Sequence, residues 1–383
     1  MATRKLKILH ILDSLGVGGM ERVLIDVANR LDPQRFEQAI CTVTRLGTAA
    51  ERVQPHVKLF DMAKGEARAL GMPFKLVRVI REYQPDIVHT RSWAGVDGAL
   101  ATALAKLSGR RAKLVHSEHG RNLPYIHFEP TKRKVIRRCI YHLADQVFSV
   151  SEEMRQYFCR ETGFDVRRVK VVANGIDLEK LDAVTPADVQ ALRAEFGLAP
   201  TDCVIGTVAR FQETKDLPTL VRAFAQLLDA QKTRNGLRLL LVGDGVERAR
   251  LETLARELKI DQAMVITGLR KDVARCLRAM DVFVLPSLSE GLPGAVLEAM
   301  GASLPVVATN IPTLPELIHE GENGFLVNVK DPAAMAERLS RLVIDRDLAR
   351  RFGQVGRRRA ERDFSLPAML ERYERLYAEL VEK

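Results

Sequence analysis

Glu290 and Glu298 stand eight residues apart in SEGLPGAVLEAMG, Ser289 to Gly301. The preceding VFVLPS reads as a buried strand, and Glu290-Gly291-Leu292-Pro293 as the turn that leaves it. Pro293 suits the first position of a helix, where a missing N–H costs nothing. The N–H groups from Gly291 to Ala295 then form an anion site. Glu290, ahead of that helix, reaches the hydroxyls of whatever the anion carries. Glu298, about one and a half turns inside, chelates a cis-diol such as a ribose. A phosphate flanked by a sugar and a ribose outlines a nucleotide-sugar. Read alone, the segment is equally a capping box of Ser287 and Glu290, with Glu298 on a polar face. Arg210 and Lys215, in TVARFQETKD, change the balance. A guanidinium and an ammonium converging at a strand end clamp phosphates, although alone they are also two cations of a solvated loop. Taken with the two glutamates in chain order, they favour the ligand reading.

Weaker signals point the same way. SLGVGGMERVL, Ser14 to Leu24, places Gly16, Gly18 and Gly19 between a strand and a helix, which suits a diphosphate. It is not a dinucleotide fingerprint, since Glu21 occupies the third small position and TVTRLG supplies no acid for a ribose. The alternative is a turn that needs glycine for positive φ. His119, in SEHGRN (Ser117 to Asn122), falls at a strand's carboxyl end, where it is either a ligand-side residue or a structural histidine. Gly243, in LVGDGVER, would let a nucleoside approach. In TGLRKDV, the main chain at Leu269 and Arg270 could read a base edge. The histidines have no metal-type spacing, and the one D-x-D, Asp345 and Asp347, sits in a charged helical run.

These residues need parallel sheets to position them. Apolar runs alternate with amphipathic ones throughout: LKILHIL, QAICTV, DIVHT, KLVHSE, QVFSVS and VKVVAN, then CVIGTVA, RLLLVG, AMVITG, VFVLPS, PVVAT and GFLV. This predicts an α/β chain of two tandem Rossmann-like units. Expected helices include Met20 to Leu31 and Gly98 to Leu107, and the crossing between units falls around Ile176 to Pro200. In the last segment, Met369, Tyr373, Leu376 and Leu380 form one helical stripe. That helix either packs on its own domain or crosses back to the first.

The totals agree with a globular protein: 383 residues, 46% hydrophobic, mean hydropathy −0.08. The first apolar run is too short for a signal or membrane-spanning segment. Five scattered cysteines read as reduced thiols of a cytoplasmic protein. The net charge of +10 is one-sided: residues 1–180 hold 31 Lys+Arg against 20 Asp+Glu, and the remainder 28 against 29. The first half therefore suits an anionic partner, whether a membrane surface, nucleic acid or a phosphorylated acceptor. Within it, Lys132, Arg133, Lys134, Arg137 and Arg138 lie near an apolar stripe of Val135, Ile136, Cys139, Ile140 and Leu143. This predicts a helix resting on an anionic bilayer, against the plainer reading of a solvated basic face over a core stripe.

Together these residues resemble the retaining glycosyltransferases of family 4, with the GT-B fold, over nearly the whole chain. EGLPGAVLEAMGASLPVVAT is similar to the family's E-x7-E segment, and ANGID to the tract ending its first domain. More narrowly, the chain resembles sugar transferases of exosortase and exopolysaccharide loci. The resemblance implies two Rossmann-like domains facing a cleft: an acceptor-side domain over 1–178, a nucleotide-sugar domain over 179–364, and a helix over 365–383 packing back on the first. It implies Gly18 and Gly19 at the diphosphate, His119 beside the transferred sugar, and Arg210 and Lys215 on the leaving diphosphate in place of a metal. Glu290 would hold sugar hydroxyls, with N–H groups near Gly291 and Leu292, while Glu298 would bind ribose. No cofactor is implied; the donor is a co-substrate, UDP-sugar first and GDP-mannose second. The acceptor would be a glycan or lipid-linked. NIPTLPE, Asn310 to Glu316, departs from the family's two glycines there, which puts sugar specificity in question. The rivals are a nucleotide-sugar epimerase and a basic nucleic-acid-binding protein; the second lacks a stacking platform.

Overall fold

Branched apolar residues dominate the strands because both faces of each sheet are covered by helices. In the first strand, Leu9 and Ile11 enter one core while Leu12 enters another. The computed structural model describes residues 4–16, 18–63, 71–109, 111–120, 129–230 and 236–382, with only the backbone of Ala94. Val17, Arg121 and Asn122, within the glycine-rich and histidine segments, lie outside them.

Two compact units result, residues 1–174 with 367–383, and residues 175–366. The first holds β1 (Leu6–Ser14), α1 (Gly19–Arg30), β2 (Phe36–Arg45), β3 (Lys58–Asp61), α2 (Met72–Tyr83), β4 (Ile87–Arg91) and α3 (Val96–Leu107). It continues with β5 (Lys113–Glu118), α4 (Thr131–Leu143), β6 (Gln146–Ser149), α5 (Glu152–Thr162) and β7 (Val169–Val171). Its sheet is parallel in the order β3-β2-β1-β4-β5-β6-β7. β3, which the apolar pattern does not announce, is an edge strand with three of its four residues exposed.

The second unit holds α6 (Leu178–Asp182), α7 (Pro186–Glu195), β8 (Cys203–Val208), α8 (Leu217–Ala230), β9 (Leu237–Val242), α9 (Arg248–Glu257) and β10 (Met264–Ile266). After these come α10 (Val273–Arg278), β11 (Val282–Leu285), α11 (Gly294–Gly301), β12 (Val306–Thr309), β13 (Gly324–Val327), α12 (Pro332–Ile344) and α13 (Arg346–Phe364). Its parallel order is β10-β9-β8-β11-β12-β13. The last helix, α14 (Leu366–Glu382), lies almost wholly in the first unit. There Met369, Tyr373, Leu376, Tyr377 and Leu380 are buried.

In each sheet the strand order reverses once, between β1 and β4 and between β8 and β11. Open α/β sheets bind ligands beyond the carboxyl ends of the strands at such a reversal.

Candidate functional site

At the β8/β11 reversal the structure brings Lys215 and Glu290 together. Lys215 Nζ lies 2.5 Å from Glu290 Oε1, and Ser287 Oγ donates to the same oxygen at 2.7 Å. Both charged side chains are largely buried, at 19% and 11% exposure. The loops carrying them are joined by the backbone bond from Leu288 N to Thr214 O. Lys215 has three donors and gives one to Glu290, so two remain for an anion. Arg210 is exposed past the end of the same strand. Its loop is anchored by the wholly buried Phe211, whose N–H donates to Asp244 O.

α11 begins one residue later than the spacing suggests. Pro293 is its N-cap, and no side chain caps the end. The capping-box alternative therefore fails: Ser287 and Glu290 bond to each other rather than to the helix. Gly291 is partly buried, Leu292 and Pro293 are buried, and Glu298 is partly buried in the second turn. Thr313, inside the atypical Asn310–Glu316 segment, donates to Glu290 O at 3.4 Å, so that departure touches the site itself.

Other expectations fare differently. Gly243 has φ +135, and a Cβ there would meet Ala209 O at 1.9 Å. The fold alone therefore requires this glycine, whatever approaches it. Leu269 is 72% exposed. The Arg270 side chain is taken up by Glu195 at 2.6 Å and Asp272 at 2.8 Å, and lies over Phe196. A groove of about 960 Å3 in this unit is lined in part by Arg193, Asp202, Asp281 and Pro305. Asp202, Asp281 and Pro305 each sit just before a strand begins, at the amino edge and opposite Arg210 and Glu290. Arg193 is already paired with Asp281 there.

In the first unit the glycine loop ends β1 at the β1/β4 reversal. None of Gly16, Gly18 and Gly19 has positive φ, so the turn-geometry alternative fails. A Cβ at Gly19 would meet open space, and at Gly18 the end of the Glu21 side chain. His119 follows β5, and its Nε2 lies 2.9 Å from Ser117 Oγ. Burial, aided by the nearby Arg91 cation, holds its pKa down at about 3, so the ring is neutral.

On the basic helix α4 the five cations are not all free for an anionic surface. Arg137 is buried; it donates to Glu118 Oε1 at 2.7 Å and pairs with Glu129. Arg133 stacks on Trp93 at 4.0 Å and pairs with Glu129, and Lys134 pairs with Glu161. Arg138 donates to Thr162 O at 3.1 Å yet stays exposed, as does Lys132. Three of the five cations are therefore ion-paired within the unit, and a fourth, Arg138, bonds a backbone carbonyl. Ile140 is buried, while Val135, Cys139 and Leu143 face outward. Burial works against the Glu118 charge, yet Arg137 and His116 hold its pKa down at about 2.

Some site members carry no distinctive motif. Ser287 and Thr309 are wholly buried polar residues, with Thr309 Oγ1 donating to Ser287 O at 2.5 Å. Polar residues in an otherwise apolar strand, such as His89 and Arg91, are the available signal for the network beneath His119. Among the described residues, no group of three His, Cys, Asp or Glu side chains could hold a metal ion.

Comparison with known proteins agrees with this geometry. The model "Glycosyltransferase Family 4" matches residues 17–180, and "Glycosyl transferases group 1" matches 188–359. EpsD of Bacillus subtilis (strain 168), described as a glycosyltransferase, is 30% identical over 299 residues, 75% of each chain. The Escherichia coli UDP-Gal:alpha-D-GlcNAc-diphosphoundecaprenol alpha-1,3-galactosyltransferase is 26% identical over 90% of this chain and 89% of its own. The Anabaena protein HepE, in complex with UDP and glucose, superposes with a TM-score of 0.84 at 23% identity, over 98% of this chain and all of HepE. That last likeness concerns the fold, which is GT-B. With EpsD at 30% identity over 75% of each chain and a family model on each half, the chain belongs to the family 4, group 1 glycosyltransferases and is an enzyme of that class.

Proposed function

We propose that this enzyme transfers a sugar, with retention and without a metal, from a UDP-sugar to a glycan or lipid-linked acceptor of cell-surface polysaccharide synthesis. GDP-mannose is the second candidate donor. The observation that carries the reading is the Lys215–Glu290 pair at the β8/β11 reversal, with Arg210 past the same strand and an uncapped helix start nearby. Arg210 and Lys215 take the leaving diphosphate, Glu290 and the N–H groups at Gly291 and Leu292 hold the sugar, and Glu298 takes the ribose. Within the first unit, Gly18 and Gly19 suit a diphosphate and His119 a sugar hydroxyl. The acceptor attacks from the face the diphosphate leaves, and a donor phosphate oxygen takes its proton, so no protein nucleophile is needed. UDP in the HepE structure and the UDP-Gal donor and diphosphoundecaprenol acceptor of the E. coli relative support these choices.

The reading places the protein in the cytoplasm, peripherally on the inner membrane face. No helix among the described residues is long and apolar enough to cross a membrane. The surface that suits a bilayer is broader than α4. Leu100, Leu104 and Leu107 form an exposed stripe on α3, with Phe74 on α2 and Val135 on α4 also exposed. Lys75, Arg78, Arg81, Lys132 and Arg138 add exposed cations on α2 and α4. Flotation with anionic vesicles at low salt should carry the protein up, and Leu104→Glu should abolish it.

A thermal-shift panel of UDP, GDP, ADP and their sugars, with and without chelator, tests the chemistry. UDP compounds should give the largest shifts, chelator should change neither shift nor turnover, and the product anomer should match the donor's. Chelator-sensitive transfer or an inverted anomer would refute the mechanism.

A further inference from the structure

On the sheet face that α14 covers, the first unit carries a buried polar network that packing alone does not call for. Arg91 is wholly buried, and no carboxylate pairs with it among the described residues. A guanidinium only donates, so each neighbour must turn an acceptor toward it. Its Nη1 lies 3.0 Å from His10 Nδ1, which leaves the proton of His10 on Nε2, directed at Gln38 Oε1 2.7 Å away. On the other side the cation stands by the phenols of Tyr373 and Tyr377.

From Tyr377 the bonds run in one line. Its hydroxyl is 2.7 Å from His89 Nδ1, His89 Nε2 is 2.9 Å from Ser117 Oγ, and Ser117 Oγ is 2.9 Å from His119 Nε2. Arg91 Nε and Nη2 make no hydrogen bond among the described residues. The cation nevertheless repels the phenol's proton, and His89 Nδ1 is the acceptor the hydroxyl has there, so the O–H points to His89 Nδ1. His89 must then donate from Nε2 to Ser117, and Ser117 donates to His119 Nε2. The remaining His119 nitrogen, Nδ1, is buried and has no partner among the described residues.

We infer that Arg91, Tyr377, His89 and Ser117 form a directional relay that fixes His119 in the tautomer bearing its proton on Nδ1, so that His119 meets the donor sugar as a hydrogen-bond donor. The four are positioning residues, and the inference rests on the transferase reading for its last step only. Tyr377→Phe removes one hydroxyl and leaves the ring packing in place. The line can then reverse, with Ser117 donating to His89 and His119 donating from Nε2.

The test is 15N NMR of the histidine rings in the full chain, with the His119 signals identified by their loss in His119→Gln. Wild type should show a protonated Nδ1 and a bare Nε2 at His119. Tyr377→Phe and Ser117→Ala should move the majority of His119 to the Nε2–H form and lower kcat about tenfold, the scale of one net hydrogen bond, with nucleotide Kd unchanged. An Nε2–H ring in wild type, or an unmoved tautomer or kcat in Tyr377→Phe, overturns the relay. A protein with the expected tautomer that binds no nucleotide-sugar would instead sink the transferase reading and leave the relay standing.

Discussion

Acid should melt the first unit well before the second. His10, His89 and His119 are held neutral mainly by burial and secondarily by the Arg91 charge, all with pKa values below the ordinary 6.5. A depressed native pKa means that the unfolded chain takes up protons the folded unit refuses, so stability is full above about pH 6.5 and falls toward the native pKa. For His119 that window runs from about 6.5 down to about 3. Moving from pH 7.5 to 5.5 shifts one such unfolded-state histidine from mostly neutral to mostly charged. That costs the native state about 1.4 kcal/mol for each group, or about 4 kcal/mol for three. At about 2–4 °C per kcal/mol for a unit of this size, its Tm should fall by roughly 8–16 °C. The second unit has a single histidine, His319, on its surface. Calorimetry at constant ionic strength should therefore show one transition moving away from a nearly fixed one, with limited proteolysis assigning the mobile one to residues 1–174. His10→Gln should flatten the slope by about a third. If the first unit's Tm holds within 2 °C between those pH values, the neutral-histidine account is wrong.

Three further outcomes follow from particular contacts. Gly243→Ala forces a Cβ against Ala209 O at positive φ and should cost about 3 kcal/mol or more by urea unfolding, whereas Gly19→Ala, whose Cβ meets nothing, should leave stability intact and reduce transfer. Arg137→Met strands Glu118 and Glu129 in a buried site and should destabilise the first unit by about 3–5 kcal/mol, while Lys132→Ala should change stability by less than about 0.5 kcal/mol. Glu298→Ala should weaken UDP binding about 10- to 100-fold by calorimetric titration, and Glu290→Gln should lower kcat more than it raises that Kd.

Much of the frame is legible because physics repeats itself along the strands. CVIGTV and VFVL are apolar at nearly every position since helices cover both sides, so the run alone marks the strand. KLFD is illegible for the converse reason: an exposed edge strand has no buried face to imprint a pattern. Arg210, Lys215 and Glu290 could be found because their charges sit where strands end. At the Arg91 network the sequence offers only polar residues in an apolar strand and not their pairing, because what brings His10 against His89 is the register of β1 with β4. Composition also misjudges α4. It counts five cations, but Arg137 turns inward only because Glu118 on β5 and Glu129, just ahead of the helix, receive it.

The first unit's core is closed by residues made long after the rest of it. Tyr373 and Tyr377 pack on a sheet whose last strand ends at Val171, with the whole second unit encoded between them. During synthesis, the sheet surface bearing Arg91 and His89 must wait, wet and uncovered, while roughly 190 further residues emerge. The second unit is complete first, so the order of maturation runs opposite to the order of translation. The early half would then depend on chaperones until its closing helix arrives.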